Sequence, residues 1–143
     1  MPKIDFYILS EGNCLQLACK LIEKAYKNRH RVYVHTENET VAHQLDELLW
    51  TYKEESFIPH NLYGEGPDPA PPIQIGFANT PEKHRDILIN LSNEIPGFHK
   101  QFARIMELVP NSSTIQERAR ENYRIYRSNG YDIQTHKLQT IEL

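Results

Sequence analysis

From the amino terminus the chain alternates short apolar runs with amphipathic stretches. Lys3–Leu9 (KIDFYIL) is apolar enough for a buried strand, and Ser10–Asn13 supplies turn and cap chemistry. From Cys14 to Lys27 the apolar residues Leu17, Ala18, Leu21, Ile22 and Ala25 recur as one helical stripe. The cations of Arg29–His30–Arg31 suit that helix's negative end. Val32–His35 (VYVH) reads as a second strand. After a polar turn, Thr36–Thr40, the residues Val41, Leu45, Leu48 and Leu49 mark a second helix ending near Trp50.

The order strand–helix–strand–helix predicts a parallel sheet with helices on its faces. Thr51–Pro72 then runs irregularly through Pro59, Gly64, Gly66, Pro67, Pro69, Pro71 and Pro72. Trp50, Phe57, Ile58 and Leu62 make its start too apolar for a free linker, so an ordered surface loop is expected. Ile73–Phe77 and Asp86–Leu91 read as two more strands around a polar turn with Pro81. Gly97–Leu108 predicts a helix with Phe98, Phe102, Ile105 and Met106 inward. Pro110 stops it, and Asn111–Ser112–Ser113 offers caps for a last helix to about Ser128, closed by Asn129–Gly130. No repeat, low-complexity tract or domain boundary interrupts residues 1–143. The expected fold is a single three-layer α/β/α domain with an open, mainly parallel central sheet, Rossmann-like without a phosphate-binding loop.

Composition narrows the function classes. The 143 residues are 39% hydrophobic and 24% charged, as expected for one globular domain. No apolar run is long enough to cross a membrane, and MPKIDFYILSEGN turns polar too early for a secretory signal, so a cytoplasmic location is expected. Sixteen Lys and Arg against nineteen Asp and Glu give a net charge of -3. Coating nucleic acid requires a dense basic surface, so little direct nucleic-acid binding is expected.

Catalytic and cofactor signatures are missing. The turn after the first strand, SEGNC, has one glycine and no Lys-Ser/Thr, so it makes no phosphate cradle. The seven histidines form no H-x-x-x-H or HExxH pattern, and G-x-S-x-G is absent. Cys14 and Cys19, five apart in a helical pattern, read as free thiols. Neither cofactor nor metal is expected.

Two constellations read as surfaces. On the last helix Arg120, Tyr123, Arg124 and Arg127 fall within an arc of about 100°, beside a packing face of Ile115, Ala119 and Tyr126. An aromatic ring flanked by guanidiniums can accept an apolar side chain and pair with carboxylates. The alternative is a solvated arginine face with Tyr123 half-buried for packing. In WTYKEESFIPHN the only tryptophan, Trp50, stands where a helix gives way to a loop carrying Phe57 and Pro59. Exposed, these rings anchor a protein interface; buried, they cover a sheet edge.

These segments resemble the chi subunit family of bacterial DNA polymerase III. The matching runs are LDELLW (45–50), ESFIPHNLYGEGP (55–67), RDILINL (85–91), LVP (108–110) and RARENYRIYRSNGY (118–131), with FYIL and RVYV in corresponding places. The resemblance implies a non-catalytic clamp-loader accessory that bridges the psi subunit to the acidic, phenylalanine-terminated tail of single-stranded DNA-binding protein. The implied tail site is Val109, Arg120, Tyr123 and Arg124. The implied psi site is Trp50, Phe57, Pro59 and His60.

Arg120 would pair with the tail's terminal carboxylate, Val109 and Tyr123 would wall a pocket for its phenyl group, and Arg124 would meet upstream acids. One departure is Gln116, where the family can carry a lysine; Arg127 or Arg118 are the candidates to compensate. KLQTIEL, at the C-terminus, matches nothing. Whether a helicase shares the Trp50 face stays open, and the chain is expected to be monomeric alone and heterodimeric with psi. The rival readings are a single-stranded nucleic-acid binding module, using the arginines with Tyr123, and a nucleotide-dependent enzyme with an unrecognised site.

Overall fold

The computed structural model describes residues 3–10, 13–52, 57–66, 69–78, 80–81 and 84–138. Ten elements follow in order: β1 (Lys3–Leu9), α1 (Cys14–Lys27), β2 (Val32–His35), α2 (Glu39–Thr51), β3 (His60–Leu62), β4 (Ile73–Gly76), β5 (Ile87–Asn90), β6 (Arg104–Val109), α3 (Ser113–Ser128) and β7 (Asp132–Leu138). Between β5 and β6 lies one 3₁₀ turn, His99–Gln101. The strands form one sheet in the order β3-β4-β2-β5-β6-β1-β7, and every pairing is parallel.

Each helix starts on a side-chain cap. Asn13 Oδ1 accepts the Leu15 N–H at 2.7 Å, Asn38 Oδ1 the Val41 N–H at 3.0 Å, and Ser112 Oγ the Ile115 N–H at 3.5 Å. The apolar stripes of α1 and α2 cover one face of the sheet, where Leu17, Ile22, Ala42, Leu45 and Leu49 pack on Val32, Ile73 and Ile89. On the other face Tyr126 of α3 packs with Phe6, Tyr33, Phe102, Ile105 and Val109. The layers are those of an α/β/α domain.

Three segments depart from the expected elements. Gly97–Leu108 is not a helix: it yields a 3₁₀ turn and then β6, which lies between β5 and β1. Met106 and Leu108 enter one core, while Ile105 and Val109 enter the other. Because β6 is buried on both faces, Ile105, Met106, Leu108 and Val109 crowd together without strict alternation, and such a cluster mimics a helical stripe. Thr51–Pro72 is more than a surface loop, because its middle pairs with β4 as the edge strand β3. Residues 53–56 and 67–68 of that stretch lie outside the described residues. The C-terminal segment supplies the opposite edge strand β7 through Leu138. Its end, residues 139–143, lies outside the described residues.

Part of the family-like motif is structural. In NLYGEG both glycines have φ of 87°, a left-handed conformation that favours glycine, and the Asn61 amide donates to the Glu65 carbonyl across the turn. This turn follows β3 and carries no exposed aromatic anchor.

Candidate functional site

The α3 arc opens onto a groove. Its volume is about 490 Å³, and Val109 of β6, Phe6 and Ile8 of β1, and Ala119 and Tyr123 of α3 form its apolar surface. Arg120, Arg124 and Arg127 of α3 and Lys137 of β7 add the polar rim, with Gln116 and Thr135. The groove thus brings together all four residues expected of a tail site. Tyr123 is half-buried, and its ring meets Phe6 with centroids 5.6 Å apart. One ring face is thereby spent on the core while the side chain still lines the groove.

The cations differ in how free they are. Among the described residues Arg120 makes no ion pair or hydrogen bond. Arg124 reaches Glu121 at 3.6 Å, one helical turn away, with both side chains largely in water. Such an exposed pair is worth well under about 1 kcal/mol and is easily exchanged for a ligand. Arg118 points elsewhere, its Nη2 lying 3.1 Å from a Glu94 carboxylate oxygen. Of the two residues expected to compensate for Gln116, only Arg127 lines the groove.

Among the described residues no carboxylate lines this groove. Two hollows of similar size differ: one holds Glu94, Glu117 and Glu121, the other Glu37 and Glu94. Among these, the α3 groove alone joins an apolar floor to an unpaired guanidinium, that of Arg120, the combination an acidic chain with an aromatic end requires.

Strand β7 contributes what the sequence reading missed. Thr135 and Lys137 are two apart and so project from the same side of the strand. Recognising IQTHKL as a strand would have found them; without its partner β1 the segment gave no reason to do so.

The second surface lies at the other sheet edge. Trp50, at the end of α2, is 56% exposed and Phe57 is 67% exposed, with ring centroids 5.7 Å apart. These rings therefore form an outward aromatic pair and do not fill the core. Pro59 beside them is half-buried. His60 lies underneath: its side chain is 1% exposed, and its ring sits 4.7 Å from that of Trp50. Its Nδ1 is 2.6 Å from the Ile58 carbonyl oxygen, and its Nε2 is 3.2 Å from that of Asp46. His60 thus ties the loop to α2 and props the indole from beneath the exposed Trp50–Phe57 pair.

The remaining chemistry is muted. Among the described residues no group of three His, Cys, Asp or Glu could hold a metal ion. Burial pushes the Cys14 thiol up to about 11 and the Cys19 thiol up to about 12, which keeps both protonated and unreactive near neutrality. No helix among the described residues is long and apolar enough to cross a membrane.

Similarity to known proteins bears on the whole chain. The family described as DNA polymerase III chi subunit, HolC, matches residues 1–134. A DNA polymerase III subunit chi from Pseudomonas aeruginosa is 41% identical over 99% of this chain and 100% of its own length. The subunit chi of Escherichia coli K12 is 34% identical, covering 94% of this chain and 97% of its own. That of Haemophilus influenzae is 36% identical, covering 92% and 94%. Among solved structures, that of T4 UvsW superposes with a TM-score of 0.67 at 9% identity, over 96% of this chain and 41% of that one; it shares the fold alone. The chain belongs to the DNA polymerase III chi subunit family, and it is an accessory subunit of the replicative polymerase, not a catalytic one.

Proposed function

We propose that this subunit is a two-sided adaptor: the α3 groove takes the acidic, phenylalanine-terminated tail of single-stranded DNA-binding protein, and the Trp50–Phe57 face takes the psi subunit of the clamp loader. The observation that carries the reading is Arg120, which among the described residues is unpaired and stands beside an apolar hollow lined by no carboxylate. Its guanidinium pairs with the terminal carboxylate through charge-assisted hydrogen bonds while Val109 and Tyr123 receive the phenyl ring. Arg124, Arg127 and Lys137 attract the upstream acids and chiefly raise the association rate.

The two faces are far enough apart to act together. β3 and β7 are the opposite edges of a seven-stranded sheet, six strand spacings or roughly 30 Å apart. A helicase using the same aromatic pair would exclude psi, since Trp50 and Phe57 form one small patch. Direct capture of single-stranded DNA is disfavoured because Tyr123 is the one partly exposed ring among the described residues lining the groove, whereas a single-strand track stacks successive bases on several. The adaptor works in the cytoplasm, where replication takes place.

The reading is tested by titrating the protein with a peptide copying the acidic tail and with one lacking the final phenylalanine. Saturable binding of the first and none of the second supports it. Equal binding of both contradicts it.

A further inference from the structure

The two faces lie in opposite electrostatic surroundings. Helix α3 carries Arg118, Arg120, Arg124 and Arg127 against Glu117 and Glu121. Helix α2 carries Glu39, Asp46 and Glu47 and no lysine or arginine. These two helices thus carry opposite net charges within a chain of net charge -3.

Glu47 stands three residues before Trp50, a spacing that places both on one side of α2, and both are exposed. One turn further back, His43 and Glu39 continue the stripe around a shallow hollow that Glu47 also lines. Glu39 has a partial partner in His43 at 3.5 Å. Glu47 meets no cation among the described residues. Asp46 sits behind, 3.3 Å from the His60 ring.

A segment anchored on Trp50 and Phe57 must pass this carboxylate. A purely apolar segment would strip water from Glu47 without compensation, and an acidic one would be repelled. A lysine or arginine placed about one helical turn from the apolar anchor is attracted to Glu47, and the two aromatic faces also favour a nearby cation. We infer that the partner segment received at the Trp50–Phe57 face is cationic, with an apolar anchor for the ring pair and basic residues directed at Glu47 and Glu39. This deepens the two-sided adaptor reading and rests on it. The opposed charges then sort the partners: the acidic tail is turned away from α2, and the basic segment is turned away from the α3 arginines.

The test uses the full chain with the intact psi subunit as the probe, and records association rates at low and high salt. Glu47→Lys should slow association roughly tenfold at low salt, with the difference vanishing at high salt. Glu47→Gln should fall between. A lysine near the helix C-terminus suits the dipole, so Glu47→Lys should melt like the parent and bind the tail peptide unchanged. Phe57→Ala should lose psi at every salt concentration. Equal low-salt rates for the parent and Glu47→Lys overturn the cationic assignment, and loss with Phe57→Ala would then leave the adaptor reading standing. Failure of the parent to bind psi at all overturns both.

Discussion

The Tyr126 hydroxyl donates to Glu107 Oε2 at 2.6 Å, joining α3 to the interior strand β6. Asn90 donates to both oxygens of the same carboxylate, at 3.0 and 3.1 Å. Burial nevertheless dominates these bonds and lifts the Glu107 carboxyl to about 7 from its ordinary 4.5.

A raised carboxyl stabilises the fold in its protonated form. That contribution is full below pH 4.5 and is lost as pH rises through about 7, a change on the order of 3 kcal/mol. Glu107→Gln should therefore flatten the decline in thermal stability between pH 5 and 8, which melting curves across that range would record. A parallel decline in parent and variant would contradict it. Asp5 acts in the opposite sense at lower pH. Burial raises its carboxyl, but hydrogen bonds from His136 and Arg104 outweigh that and hold it below 3.8, so its contribution is lost as pH falls further.

Phe57→Ala should abolish psi binding while tail binding persists. The side chain is 67% exposed, so truncation leaves no core cavity and the melting temperature should stay within a degree or two of the parent's. A pull-down with each partner and a circular dichroism melt check this. Joint loss of both partners with a lowered melt would place Phe57 in the fold and not in the interface.

Gln116→Lys should strengthen tail binding, because the side chain already lines the groove beside Arg120. One exposed cation is worth about 0.5–1 kcal/mol, or two- to fivefold in affinity at low salt. Lys137→Glu should act oppositely, slowing association and shrinking its salt dependence. Titrations over a salt series decide it, and an unchanged affinity in both variants would remove β7 and position 116 from the site.

The helical layers were legible because their stripes are amphipathic and their caps local: Asn13, Asn38 and Ser112 each stand where the pattern changes. β6 was not, since Phe98, Phe102, Ile105 and Met106 fit a helical spacing equally well and only flanking strands reveal a two-sided burial. The candidate groove was half legible. Arg120, Tyr123 and Arg124 share one helix and one arc, whereas Phe6, Thr135 and Lys137 join them only through the parallel pairing of β1 with β7. At the other face, spacing left Trp50 and Phe57 equally able to point in or out, and the position of β3 decided it.

The most direct measurement is a fluorescence titration of the labelled tail peptide against Arg120→Ala, with psi binding followed in parallel. Arg120 is exposed and unpaired among the described residues, so the fold should be unaffected. With the pair desolvated in the complex, the expected loss is about 2–5 kcal/mol, at least roughly thirtyfold in tail affinity, with psi binding intact. Tail affinity equal to that of the parent chain would contradict it.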